Sequence, residues 1–164
     1  MMPLKTLACL AAFALTTLPV RAEVTPGETP VDMNTAIMLF QSTCLDHLPD
    51  FSGSAKALKG DYTPNPETGT LYHPDLNLSF NIKTGKANGV CSMVFASDED
   101  PGVLGLALTS AAAAVGGGGV TVDPDMQNMA TDLGDKGLMR FRVIGEQAGD
   151  FYFHAAVGNG VPNP

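Results

Sequence analysis

Two spacings of hydrophobic residues organise the first half of this chain. Near its start, apolar side chains recur every third or fourth position, as on one face of an amphipathic helix: Met33, Ile37, Phe40, Cys44 and Leu48. Asp32 is suited to cap this helix and Pro49 to end it. Further on, apolar side chains occupy every second position, as in a strand with one solvent-exposed face: Leu76, Leu78, Phe80 and Ile82.

The segment 90–96 is apolar on both faces, which predicts a central strand. It follows a turn at 83–86 and is expected to form an antiparallel hairpin with the strand before it. The other elements predicted in the middle of the chain are less regular: helix 53–59, loop 61–69, edge strand 70–73, apolar helix 103–115 ended by Gly116–Gly119, brief strand 120–122 and connection 123–136. The helix 103–115 is apolar nearly all round, which indicates burial against the sheet or against a partner.

A second hairpin is predicted near the end of the chain, with strands 138–144 and 150–157 around a turn at 145–149. Together these patterns predict an α+β fold: an antiparallel sheet of four to six strands with helices packed on one face, a two-layer sandwich. The chain is expected to divide into a signal peptide (1–22), a flexible leader (23–31), a single α+β domain (32–158) and a C-terminal tail (159–164).

The first 22 residues have the features of a secretory signal peptide. Lys5 supplies the positive charge, residues 7–18 are mainly apolar, and Val20 and Ala22 place small side chains where a signal peptidase cleaves. The apolar stretch is shorter than the roughly 20 residues of a transmembrane helix. Cleavage after Ala22 and a periplasmic or secreted destination, without a stable membrane anchor, are therefore expected.

Cleavage leaves two cysteines, Cys44 on the first helix and Cys91 on the central strand. In an exported protein, two cysteines are most simply one disulfide. Such a bond would hold the first helix against the middle of the sheet.

The charge balance restricts the partners. Loss of Lys5 and Arg21 with the signal peptide changes the formal charge from −8 to −10. An acidic protein is a poor ligand for nucleic acid or an anionic membrane surface, so neither is expected as a partner. The partners expected are an unidentified protein or a small anionic ligand.

Three segments carry a resemblance to small exported proteins of Gram-negative bacteria that have no assigned function. They are the helix end Ser-Thr-Cys-Leu at 42–45, the Pro-Asp-Phe step at 49–51 and Val-Cys-Ser-Met-Val-Phe at 90–95. The resemblance covers residues 33–96. It implies a periplasmic setting and supports the pairing of Cys44 with Cys91, but it implies no catalytic residues.

The candidate binding surface lies on the last hairpin. Arg140 and Arg142 alternate with inward-facing apolar residues, and Tyr152 and His154 alternate in the same way on the second strand. If the hairpin forms as predicted, these four side chains share one face within cross-strand reach. They would offer a surface for a carboxylate, a phosphate or an acidic loop of a partner. The alternative is an ordinary solvated sheet face, on which nearby acids offset the arginines.

No other residue pattern points to chemistry. His47, His73 and His154 lack the spacing of a metal site, so no metal or cofactor is expected. The sequence has no Gly-x-Ser-x-Gly motif, and both remaining cysteines are expected to be oxidised, so no catalytic residue is named. The favoured interpretation is a non-enzymatic binding or interaction module, and the alternative is a small hydrolase-like enzyme without a recognisable motif.

Overall fold

The computed structural model describes residues 25–58 and 61–160. The predicted signal peptide, the first two residues of the leader and the last four of the tail lie outside this part. The helices are α1 (Met33–Thr43), α2 (Ser54–Ala57) and α3 (Pro101–Gly116), with short 3-10 turns at Leu45–His47 and Gly134–Lys136. The strands are β1 (Thr63–Pro64), β2 (Leu71–Tyr72), β3 (Leu78–Lys83), β4 (Val90–Ser97), β5 (Val120–Val122), β6 (Asn128–Asp132), β7 (Leu138–Gln147) and β8 (Asp150–Gly158).

The strands form one antiparallel sheet in the order β1-β2-β3-β4-β8-β7-β6-β5. The fold is therefore α+β, as predicted, but the eight strands exceed the expected four to six. Two strands account for the difference, because β1 lies in the predicted loop 61–69 and β6 in the predicted connection 123–136. Only Met129 and Thr131 of β6 are buried, so its hydrophobic alternation is too short to be recognised.

The helices α1 and α3 pack on the same face of the sheet. Cys44, at the end of α1, is bonded to Cys91 of β4, and Gly105 of α3 lies against Phe141 of β7. The buried side chains of the central strands alternate along each strand and point to this face: Leu78, Phe80, Cys91, Met93, Phe95, Met139, Phe141, Phe153, Ala155 and Val157. The core thus lies between two helices and one face of the sheet, and the other face has no helix over it in the described residues.

The first helix is shorter than predicted. It begins after Asp32, whose carboxylate accepts a hydrogen bond from Thr35 N at 3.0 Å, but it ends at Thr43 rather than near Leu48. A residue before proline is disfavoured in helical conformation, and Leu48 is extended (ψ 150°) ahead of Pro49. The short helix predicted at 53–59 is α2, over Ser54–Ala57 with Gly53 before it; Lys59 lies outside the described residues.

The described part of the predicted leader is held against the domain rather than detached from it. Gly27 N donates a hydrogen bond to His73 O at 2.9 Å, and Val31 N donates to Ala96 O at 2.8 Å. Val31 is only 1% exposed and belongs to the core. A side chain at Gly27 would overlap the backbone of Asp75, so this contact requires glycine.

Helix α3 approaches the sheet closely at Gly105. A Cβ atom there would lie 2.5 Å from Phe141 Cε1 and 3.0 Å from Met129 Sδ, and both of those side chains are buried. At Gly102, one turn earlier, the nearest atom would be Met126 Cε at 3.0 Å, at the end of a side chain that is 43% exposed. An exposed methionine can move away, whereas a buried phenylalanine ring cannot.

We therefore expect Gly105→Ala to lower the free energy of unfolding by about 1–2 kcal/mol, because overpacking outweighs the gain of roughly 1 kcal/mol in helix propensity. Gly102→Ala, in the same helix, is the matched control and is expected to be neutral or slightly stabilising. Urea unfolding of both variants measures the difference. Equal stabilities would show that Phe141 and Met129 yield to the added methyl group.

Candidate functional site

The predicted surface on the last hairpin is brought together in part. In the register of β7 and β8, Arg142 lies opposite His154 and Arg140 lies opposite Ala156. Arg140 and Arg142 are exposed, whereas Met139 and Phe141 between them are buried, as the alternation predicts. The turn is tighter than expected: β7 continues to Gln147 through an irregularity between Val143 and Gly145, and Ala148 and Gly149, both with positive φ, make the turn.

The two arginines and His154 line an open cleft of about 820 Å³ on the face of the sheet away from the helices. The shape of the cleft follows from the sizes of its side chains. Arg140 lies between Ala130 of β6 and Ala156 of β8, so a long side chain stands between two short ones. The alanines form a low floor, and longer polar side chains rise around it.

The imidazole of His154 contacts the arginine opposite it. Arg142 Nε donates a hydrogen bond to His154 Nδ1 at 3.2 Å. Burial, and secondly the positive charge of Arg142, lower the pKa of His154 below its ordinary value of 6.5. The ring is therefore neutral at pH 7, and because Nδ1 is the acceptor, its proton is on Nε2. His154 thus adds an N–H donor beside the two guanidinium groups.

The guanidinium groups are not neutralised within the protein. In residues 25–58 and 61–160, no carboxylate oxygen lies within 4.0 Å of Arg140 or Arg142. Asp123 and Asp132 also line the cleft, from the side of β5 and β6. One oxygen of Asp132 accepts a hydrogen bond from Gly134 N at 2.8 Å. The cleft therefore contains both signs of charge without an internal ion pair.

Tyr152 lies on the same face but outside this cleft. Its hydroxyl accepts a hydrogen bond from Asn77 Nδ2 at 3.1 Å, which directs it towards the start of β3. The residues that sequence reasoning missed are Asp123, Asn128 and Asp132, which line the opposite side of the cleft. They fall in the segment predicted to be a connection, and only the pairing of β6 with β7 brings them beside the arginines.

The predicted disulfide is confirmed. The sulfur atoms of Cys44 and Cys91 are 2.02 Å apart, and both residues are fully buried. It joins the end of α1 to β4 and lies in the core, between the sheet and the helices and away from the cleft. Its role in this structure is to connect two elements.

The other histidines have local structural roles. His73 Nδ1 accepts hydrogen bonds from the backbone N–H groups of Asp75 and Leu76, and the imidazole of His47 packs against Gly53. Within the residues that the structure describes, no group of three or more His, Cys, Asp or Glu side chains could hold a metal ion. The glycine run ends α3, with Gly117 in the left-handed conformation as its C-cap.

None of the described helices combines the length and the apolar character needed to cross a membrane. The resemblance of residues 33–96 to small exported proteins stays a prediction, as does export itself. No protein-family model, no curated protein and no solved structure matches this chain. The features that bear on function are therefore the cleft and its two arginines, which have no carboxylate partner among the described residues.

Proposed function

We propose that this protein is a non-enzymatic binding module of the periplasm or the secreted fraction, and that it binds a small anionic ligand in the cleft of Arg140, Arg142 and His154. The observation that carries the proposal is that both guanidinium groups line the cleft without a carboxylate partner within 4.0 Å in the described residues. The formal charge of the whole chain is −8, so acids are abundant, yet none in residues 25–58 and 61–160 neutralises these two. A buried disulfide suits an oxidising compartment.

The donor set fits a planar or tetrahedral oxyanion. A guanidinium group presents N–H donors in a fixed fork that matches the oxygens of a carboxylate or a phosphate. Arg140 and Arg142 are two residues apart on β7 and therefore project to the same face, about 7 Å apart along the strand. The Nε2–H group of His154, on the neighbouring strand, is a third donor. One anionic group between them could accept hydrogen bonds from all three side chains.

The alternative, a small hydrolase-like enzyme, has less support from the same residues. A histidine that acts as a general base is usually oriented by an acid on one ring nitrogen, so that the other nitrogen can accept a proton. The partner of His154 Nδ1 is the guanidinium of Arg142, which is a donor. This arrangement leaves a proton on Nε2 and favours donation to an anion over proton abstraction.

Replacing both arginines is the direct test. We expect Arg140→Ser with Arg142→Ser to weaken binding of sulfate, phosphate or succinate at least about tenfold, since hydrogen bonds to charged groups are lost. The thermal midpoint should change little, because exposed side chains contribute under about 0.5 kcal/mol. Isothermal titration calorimetry at low salt measures the binding.

The matched control removes two positive charges elsewhere. Lys56 and Lys83 are exposed and do not line the cleft. Lys56→Ser with Lys83→Ser should bind the anions as the unchanged protein does, apart from a small general effect of net charge. If the two double variants bind equally well, or if no anion binds the unchanged protein, the proposal is wrong.

The lowered pKa of His154 gives a pH dependence. A bound anion favours the protonated ring and so raises its pKa, which means that binding takes up a proton. Sulfate affinity should therefore increase as the pH falls towards the lowered pKa of His154, and sulfate itself does not titrate in this range. His154→Gln should remove this increase. In the free protein the sign is opposite: the unfolded chain takes up the proton first, so stability is lost as the pH falls through this window.

A further inference from the structure

The charges of the cleft are separated into two sides. The basic side chains Arg140, Arg142 and His154 belong to β7 and β8, and the acids Asp123 and Asp132 lie on or next to β5 and β6. We infer that the ligand is a short zwitterion with well-separated charges, of the size of a tripeptide, with its carboxylate at the arginines and its ammonium group at the acids. This inference rests on the proposed function and specifies the ligand class.

The register of the sheet sets the distance between the two sides. Asp123 N donates to Asn128 O at 3.0 Å, Asn128 lies opposite Arg142, and Arg142 lies opposite His154. These four residues form one row across four strands, with an acid at one end and two basic side chains at the other. Neighbouring strands are about 4.8 Å apart, so Asp123 and Arg142 are separated by about 10 Å at the backbone.

A second row of paired residues forms the floor of the cleft. Thr121, Ala130, Arg140 and Ala156 are paired in this order across the same four strands. Asp132 is two residues beyond Ala130 on β6 and therefore lies diagonal to Arg140, at about 7–8 Å. Each guanidinium group thus has a carboxylate on the other side of the cleft, and no carboxylate oxygen of the described residues lies within 4.0 Å of it. The space between them is bounded by small side chains.

Charge complementarity selects between ligand classes. A simple anion that reaches the arginines gains their hydrogen bonds but also lies near two carboxylates that repel it. A zwitterion can place its carboxylate near the arginines and its ammonium group near the two acids. An α-amino acid carries its two charges next to one carbon atom, whereas three extended residues cover roughly 10 Å, which matches the backbone separation of Asp123 and Arg142. Asn128, inside the first row, and Thr121, at the end of the second, could form hydrogen bonds with the peptide groups of such a ligand.

The experiment compares four probes by calorimetry or by chemical-shift titration: trialanine, its capped forms N-acetyl-trialanine and trialanine amide, and the shorter zwitterion free alanine. We expect trialanine to bind about fivefold or more tightly than each of the other three. Asp123→Asn with Asp132→Asn should remove the preference for trialanine over its acetylated form while leaving the acetylated form bound. An asparagine at 132 can still accept the hydrogen bond from Gly134 N. Asp46→Asn with Asp61→Asn, at exposed positions outside the cleft, is the matched control and should keep the preference.

The outcomes separate the two proposals. If the acetylated peptide binds as tightly as trialanine, or if the preference survives Asp123→Asn with Asp132→Asn, the zwitterion inference is wrong and anion binding stands. If sulfate and succinate bind and depend on the arginines but none of the four probes binds, the inference is also wrong. If neither anions nor peptides bind, the proposed function itself fails.

Discussion

Cys44→Ala with Cys91→Ala is expected to lower the free energy of unfolding by about 4 kcal/mol. The two cysteines are 47 positions apart in the chain, and closing a loop of that length removes about this much conformational free energy from the unfolded state. The total stability of a small domain is only about 5–15 kcal/mol, so the loss would be a large part of it. Both residues are fully buried, and the lost packing of the sulfur atoms adds to the effect.

The contribution of the bond can be separated from that of packing. Protein reduced in denaturant and refolded with its thiols intact keeps both side chains and lacks only the bond. Guanidinium chloride unfolding of oxidised, reduced and alanine-substituted protein should give decreasing stabilities in that order. Reduced protein as stable as the oxidised form, with both thiols shown to be free, would mean that the loop-closure argument does not apply to this fold.

The structure agrees with the sequence where a local pattern decides the outcome. The faces of β7 and β8 follow from alternation alone, because a side chain every second residue must enter the core. The helical spacing of three and four residues likewise predicts that Phe40 in α1 and Cys44 just after it face the core, and both are fully buried. The face carrying Arg140, Arg142 and His154 could therefore be predicted before the sheet was known.

The rest of the candidate site depends on pairing between distant segments. Asn128 and Asp132 reach the cleft because β6 pairs with β7, and Asp123 because its N–H group bonds to Asn128. The sequence 123–136 shows no extended alternation, since only one face of a short strand is buried in it. The register between strands is set by the packed core as a whole, so it cannot be predicted from the pattern of one short segment.

One residue of the predicted C-terminal tail also has a structural role that the local sequence pattern does not reveal. The sequence predicts a polar tail at 159–164, but Asn159 is half-buried and joins its own segment to two others. Its Nδ2 donates hydrogen bonds to Pro49 O and Gly85 O, both at 2.7 Å, and its Oδ1 accepts one from Gly89 N at 2.7 Å. An asparagine after a strand has no sequence signature that would distinguish this role from a solvated position.

Asn159→Asp is expected to lower the free energy of unfolding by about 3 kcal/mol or more, although the two side chains have the same shape. Asparagine supplies two donors to the two carbonyl oxygens, whereas a carboxylate supplies none and places negative charge beside them. Asn159→Ala removes the three hydrogen bonds without adding repulsion and should cost less, about 2–3 kcal/mol. Urea unfolding at pH 7 measures both variants against the unchanged protein.

The pH dependence of Asn159→Asp distinguishes repulsion from a general loss of packing. The neighbouring carbonyl oxygens disfavour the charged form, so the introduced carboxyl group should have a higher pKa in the folded than in the unfolded state, where it is about 3.9. The deficit relative to the unchanged protein should therefore be complete above the folded pKa and shrink as the pH falls towards 4, because the folded state takes up the proton first. Asn159→Ala should show no such change. If the deficit of Asn159→Asp is equal at pH 7 and pH 4, or no larger than that of Asn159→Ala, then the two carbonyl oxygens do not face the introduced group as the hydrogen bonds of Asn159 indicate.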